Sequence, residues 1–287
     1  MLPDCTLVAS HYTVARVNRH GEARADFPRR CAAAAAAGYR GLGLSWPDFK
    51  LQRERHGDAG LRAILTAHDL VIDELDCLGS GWADEGEALA QSRAALDDFM
   101  SIADALGGRY LVVGDLRPPG QAPVRERMIE GLAAVADRAA AHGLKIAVEF
   151  YPWSAIADVT VAWDLVRATG RANAGLLLDF WHHLCGSADD AALRALPPER
   201  IVGVQITDGD PDPAIDDPLR RTQLCRRFPG EGRLPIDTVF RSLSTLGVDI
   251  PLAVESVDLT HRDLDVEATA AASYRATRTA IARALNP

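Results

Sequence analysis

Short apolar runs alternate along this chain with alanine-rich stretches that carry helical periodicity. The runs fall at Thr6–Ser10, Gly41–Ser45, Leu70–Leu75, Tyr110–Gly114, Lys145–Phe150, Ala174–Phe180, Ile201–Ile206 and Pro251–Ser256. Most are apolar at several consecutive positions rather than at every second one, the pattern of parallel strands buried on both faces. Between them the helices are readable from their ends. Asp26 caps a helix from Phe27 to Ala37 that stops at Gly38, and Glu85 to Leu106 stops at Gly107-Gly108. Ala122 to His142 stops at Gly143, Asp158 to Thr169 at Gly170, and Pro235 to Leu246 at Gly247; a last helix runs from about Asp263 to Leu285. Helix, glycine, strand is the C-cap chemistry of a βα array.

Alternating β and α with buried strands predicts a parallel sheet covered by helices. The number of units and the length predict a single (β/α)8 TIM barrel domain over 1–287, since such barrels take about 250 residues. A doubly wound open sheet would want a glycine-rich turn after the first strand, and His11-Tyr12-Thr13 supplies none. The one long irregular segment, Thr207 to Leu234, is rich in Asp, Pro and Gly. A loop of that length in a compact domain is usually functional, and in a barrel it lies at the C-terminal mouth.

Composition narrows the partners. Lys and Arg number 31 against 40 Asp and Glu, a formal charge of −9, which argues against a general nucleic-acid binder. The first apolar run is only Leu7-Val8-Ala9, and the alanine run 32–37 is flanked by arginines, so neither a leader nor a membrane anchor is expected. Five scattered cysteines, none at zinc-finger spacing, read as reduced thiols of a cytoplasmic protein.

The chemistry sits at the strand ends. Four consecutive strands finish in Ala-Val-Glu149, Leu-Leu-Asp179, Gly-Val-Gln205 and Ala-Val-Glu255. Three acids brought to one rim in apolar company would repel one another without a cation. The all-oxygen set Glu149, Asp179, Gln205 and Glu255 suits one hard divalent ion: Mn²⁺, Mg²⁺ or Co²⁺. Zinc is less favoured because the set holds no imidazole or thiolate.

Other rim residues have a functional and a plain reading. His11 faces the mouth if the first strand ends where drawn. Glu74, at the end of the third strand, binds substrate or supports a ligand, and Asp76, out of phase with it, reads as surface. Trp46 and Trp153 suit the apolar wall of a pocket or simple packing. Asp208 orients a ligand or caps its loop, and His183 reads as structural. Arg220, Arg221, Arg226 and Arg227 together suit a carboxylate or phosphate, or a solvated face. Cys185 has no base and acid around it and reads as a bystander.

The segments Lys145–Glu149, Gly175–His182, Val204-Gln205-Ile206-Thr207-Asp208, Phe228-Pro229-Gly230-Glu231-Gly232 and Leu252–Glu255 resemble the xylose-isomerase-like superfamily. That group holds sugar isomerases, ketose 3-epimerases, inosose dehydratases and 3-dehydroshikimate dehydratases, with endonuclease IV more distant. The resemblance implies that Glu149, Asp179, Gln205 and Glu255 are metal ligands and that His182 lies beside the substrate. It also implies a substrate-binding arginine at Arg227, just before the Pro-Gly-x-Gly turn. Related barrels often pair, which implies a homodimer or homotetramer. Sugar isomerases and ketose epimerases usually carry histidine where this chain has Gln205, and the stretch Pro152 to Ile156 lacks the extra acid of many epimerases. Both departures resemble dehydroshikimate dehydratases.

A divalent ion chelated by a ketone and a neighbouring hydroxyl acidifies the adjacent C–H, and Glu149, Glu255 or His182 takes the proton. Reprotonation on the other face is epimerisation; loss of a β-hydroxyl is dehydration. The expectation is therefore a metal-dependent lyase or isomerase acting on a small polyhydroxylated ketone or keto acid. It leans to the 3-dehydroshikimate dehydratase type, with a ketose or cyclitol epimerase or isomerase as the alternative. A DNA-repair barrel would need more histidines at strand ends and a basic face. A non-catalytic binding barrel would not need the four ligands.

Overall fold

The computed structural model describes residues 2–15, 23, 25–256 and 264–286. Its strands are β1 Leu7–Ala9, β2 Gly41–Ser45, β3 Val71–Leu78, β4 Tyr110–Val113, β5 Lys145–Glu149, β6 Ala174–Asp179, β7 Ile201–Ile206, β8 Asp208–Gly209, β9 Arg226–Arg227 and β10 Leu252–Val254. Strands β1 to β7 and then β10 close into one barrel, each parallel to its neighbours, with β1 pairing both β2 and β10. The chain is a (β/α)8 TIM barrel. The remaining two strands form a small antiparallel ribbon inside the long segment after β7, which also holds a helix at Pro218–Cys225.

Two cores hold the barrel. Tyr110, Val112, Ala147, Leu177 and Val202 fill its interior, and a larger apolar layer lies between the strands and the helices. Gly203 makes room in the interior layer, since a Cβ there would stand 2.6 Å from Leu177 Cδ1 and 2.9 Å from the Tyr110 ring. At the opposite end from the mouth, Arg109 grips Asp73 with two bonds of 2.8 and 2.9 Å and donates to the Val202 carbonyl.

The helix ends follow the sequence. Asp26 accepts from the Arg29 amide at the start of Phe27–Ala37, and Gly38 closes that helix at φ 113°. Asp158 caps Val159–Thr169 in the same way. The helix expected from Asp263 begins at Val266, with Asp265 as its cap; Asp263 lies outside the described residues. A helix over Trp46–Ala67 is additional to those read from the sequence. None of the helices described is long and apolar enough to cross a membrane.

Several strand ends differ from expectation, and two of the differences matter for the mouth. Strand β3 continues to Leu78, so Glu74 lies within the strand and not at its end. Strand β10 stops at Val254, so Glu255 stands just past it. The pairing of β3 is irregular, with register shifts between Leu42 and Gly43 on one side and between Leu75 and Leu78 on the other. A period-two reading fails across such shifts. Asp76, expected at the surface, is accordingly buried at the mouth.

Candidate metal centre and active site

Glu149 and Asp179 end β5 and β6, Gln205 lies in β7 and Glu255 follows β10. All four are buried at one end of the barrel, at 7%, 1%, 1% and 9% exposure. Parallel strands in register put them there: Glu149 pairs with Leu177 and Asp179 with Gln205 across the ladder, and Gln205 with Ala253, two residues before Glu255.

Each side chain is held by a specific partner. Asp179 is the N-cap of the helix Phe180–Cys185, and its Oδ1 accepts from the Trp181 and His182 amides at 2.6 and 3.2 Å. That cap swings His182 into the site, where its Nε2 lies 3.6 Å from Glu149 Oε1 and 3.9 Å from Asp179 Oδ2. Glu149, Asp179 and His182 each bring one ligand atom to within 4.8 Å of the others. Tyr151 donates its hydroxyl to Glu149 Oε2 at 2.7 Å. Trp153 stacks on the Tyr151 ring and meets the His182 imidazole edge-on at 5.3 Å.

Gln205 is oriented from below. Its Nε2 donates to Glu74 Oε2 at 2.9 Å, and the same oxygen accepts from the Tyr110 hydroxyl at 2.7 Å. The amide is thereby fixed with Oε1 as its free end, buried and without a hydrogen-bond partner. A buried carbonyl oxygen left over in this way is what a metal ligand requires. Glu74 thus orients the Gln205 amide. Replacing it with leucine removes the acceptor that orients Gln205. We expect E74L to weaken Mn²⁺ binding about 10- to 100-fold, as loss of an outer-sphere partner does, in a calorimetric titration.

The electrostatics point the same way. Burial, and then the Asp179 charge, hold Glu149 well above the usual carboxylate range. Burial does the same to Glu255, against the pull of Arg226. Burial alone would raise Asp179, but Arg226 and His182 more than offset it and keep its carboxyl low. Burial drives His182 down to about 4, so the ring is neutral at pH 7. Glu149, Asp179 and Glu255 outnumber the one buried guanidinium beside them, an excess of negative charge that a divalent ion would reduce. The donor set and its charge fit such an ion.

Arg226, named from the sequence only as one of four loop arginines suited to an anion, is the one that reaches the ligand carboxylates. It rides on the β8–β9 ribbon and is 3% exposed. Its Nη1 donates to Glu255 Oε2 at 2.9 Å and its Nη2 to Asp179 Oδ2 at 2.8 Å. Arg227, expected to bind substrate, turns the other way: it donates to the Arg226 carbonyl and lies 3.5 Å from Asp210. Neighbours on a strand point to opposite sides, so one residue of register decides which arginine enters. The structure does not bring the four arginines together either. Arg221 donates to the Ile215 carbonyl and Arg220 lies on the outer face of its helix.

Two further rim residues have defined partners. Trp46 donates its indole N–H to Asp98 on the helix Gly86–Leu106 and carries Lys50 over its ring, the packing role that was one of its two readings. The Trp46–Ala67 helix begins at this tryptophan. His11 is enclosed in a buried polar cluster, 3.1 Å from Ser45 Oγ and 3.8 Å from Asp48, and burial pushes it down to about 4. Its neighbour Tyr12 instead donates to Asp76, whose charge is felt by both Glu149 and Glu255. Tyr12 and Asp76 therefore line the β1–β3 side of the mouth. His183 packs edge-on to Phe150, as a structural residue does.

The chain matches the family model for the xylose isomerase-like TIM barrel over residues 31–279. It belongs to that family. Among curated relatives, a 3-dehydroshikimate dehydratase of Pseudomonas aeruginosa is 34% identical over 154 residues, 53% of this chain and 22% of that protein. The chain thus spans about a fifth of the length of that relative. An inosose isomerase of Bacillus velezensis is 25% identical over 200 residues, 67% of this chain and 70% of that one. The IOLI protein, solved with a bound zinc atom, superposes with a TM-score of 0.85 over 98% of this chain and 100% of its own, at 20% identity. That likeness is one of fold. The named relatives are a lyase and an isomerase, the two reaction types expected from the strand-end residues.

Proposed function

We propose that the chain is a divalent-metal-dependent lyase that removes water from a small polyhydroxylated keto acid of the 3-dehydroshikimate kind. The observation that supports this most is Gln205: a fourth ligand that is an amide, oriented by Glu74, with its oxygen free. The dehydroshikimate dehydratase relative points the same way. Glu149, Asp179, Gln205 and Glu255 would hold one ion, whose contribution is Lewis-acid polarisation of the substrate carbonyl. Manganese, magnesium and cobalt suit the oxygen set, and zinc enters the test because a solved neighbour binds it.

The chain's own groups do the rest. His182 is neutral, with Nε2 3.6 Å from Glu149 and 3.4 Å from the Arg226 guanidinium, and it would take the proton beside the carbonyl once Arg226 gives up that contact. The Trp153 and Tyr151 rings wall this side of the site and exclude water from it. The domain acts on a small molecule, with no role for nucleic acid, in the cytoplasm, as a homodimer or homotetramer.

A second reading rests on the inosose isomerase match, which covers two thirds of both chains where the dehydratase match covers a fifth of its relative. The same ligands and base would then return the proton to a cyclitol or ketose.

The deciding experiment is turnover of 3-dehydroshikimate by metal-stripped protein with and without Mn²⁺, Mg²⁺, Co²⁺ or Zn²⁺, followed by ultraviolet absorbance of the aromatic product. Metal-dependent product supports the lyase. No product from protein that binds metal removes it and moves the assignment to the isomerase, tested by solvent deuterium exchange into ketoses and cyclitols. In the active system H182A is expected to keep its metal and to lose about 10²- to 10⁴-fold in turnover, the usual weight of a general base.

A further inference from the structure

We propose that Arg226 is the resident counter-cation of the ligand set: it holds Asp179 and Glu255 together, and a divalent ion binds there against its charge. The inference rests on the metal centre proposed above and concerns how tightly that centre holds its ion.

The guanidinium does not belong to a loose surface loop. Asp208 pins the ribbon that carries it, accepting from the amides of Gly209 at 2.7 Å, Leu234 at 3.0 Å and Gly230 at 3.1 Å. Gly209 lets the ribbon seat, since a Cβ there would collide with the Trp181 ring and the Cys225 carbonyl. From this base Arg226 reaches between the carboxylates of Asp179, at the end of β6, and Glu255, just past β10. It adds a bond to the Glu255 carbonyl at 3.2 Å and lies 3.4 Å from His182 Nε2.

The oxygen inventory shows what this means for an incoming ion. Asp179 Oδ1 is taken by the Trp181 and His182 amides and Oδ2 by Arg226. Glu255 Oε2 is taken by Arg226 as well, whereas Gln205 Oε1 is free. An ion that reaches Asp179 must therefore share or displace the guanidinium. The charge argument has the same sign. Removing one positive charge a few ångströms away, in a buried site, raises the attraction for a dication more than tenfold at an effective dielectric constant of about 20. A purely structural arginine would give the opposite result, because loosened ligands bind metal less well.

The test is calorimetric titration of Mn²⁺ into full-length wild type, R226M and R226K, with thermal melts of each in chelator and in Mn²⁺. The expected result is Mn²⁺ affinity at least about tenfold tighter in R226M, together with a melting temperature in chelator lower by about 5 °C or more. Manganese should restore more of that stability in R226M than it adds to wild type. R226K keeps the charge but reaches only one carboxylate, so it should fall between the two, and it carries the test where R226M fails to fold. Equal or weaker Mn²⁺ binding in the folded variant overturns the proposal. Binding by R226M alone supports it while overturning the metal dependence of the native site. Binding by neither protein overturns both.

Discussion

Glu149→Gln is expected to lose at least about 100-fold in Mn²⁺ affinity and to take turnover down about 1000-fold or more. The size follows from how this carboxylate is held. Tyr151 occupies Oε2, which leaves Oε1 as the atom turned to His182 Nε2 and to the Asp179 side of the site. Glutamine keeps the shape but removes a charge from a cluster whose fit to a divalent ion depends on having three of them. It also offers an N–H where a lone pair is needed, and His182 then faces an amide. Calorimetry with Mn²⁺ reads the first loss and the dehydration or exchange assay the second. A variant with full metal occupancy and full rate would take Glu149 out of the site, and the same result for Glu255→Gln would end the ligand assignment.

Asp208→Ala should unfold the mouth before it touches any ligand. The side chain is buried, and its two oxygens satisfy three backbone amides of the ribbon and of the turn that follows it. Each buried amide left without a partner costs about 1–3 kcal/mol, so a loss of about 3 kcal/mol is expected in a urea melt. Asp208→Asn keeps one carbonyl oxygen in place of Oδ1 and should lose about half as much. With the ribbon released, Arg226 leaves Asp179 and Glu255, and Mn²⁺ affinity in D208A should move with that of R226M. An alanine variant as stable as wild type would show that the ribbon is held by its glycine packing alone.

Asp208 also shows what kind of information each level carries. Its position three residues after Gln205 marks it as a ligand partner or a loop cap, and the structure makes it the cap. The sequence carries no mark of which amides it gathers, because Gly230 and Leu234 are more than twenty residues away along the chain. Glu74 behaves likewise: a carboxylate in an apolar strand announces that something satisfies it, but Gln205 is 131 residues distant. Trp46 could be pocket wall or packing from its place after β2, and its bond to Asp98, 52 residues away, is what the local sequence does not carry. Asp76 misled through alternation, which holds along regular strands and breaks at the shifts in β3.

The sequence by itself determined the architecture and the inventory of the rim. Doubly buried strands, helices closed by glycine and eight such units leave little besides a parallel barrel, because each signal is local and repeated. Glu149, Asp179 and Gln205 are legible for the same reason: the end of an apolar run predicts the mouth, and a polar residue there has to be used. Tertiary structure alone decided which way neighbouring residues face and what lies between the ligands. Arg226 and Arg227 are indistinguishable as letters. A two-residue strand, anchored by an aspartate from another part of the loop, sends one guanidinium between Asp179 and Glu255 and the other toward Asp210. Direction at that scale is set by register and packing across the fold, and neither is written in the local sequence.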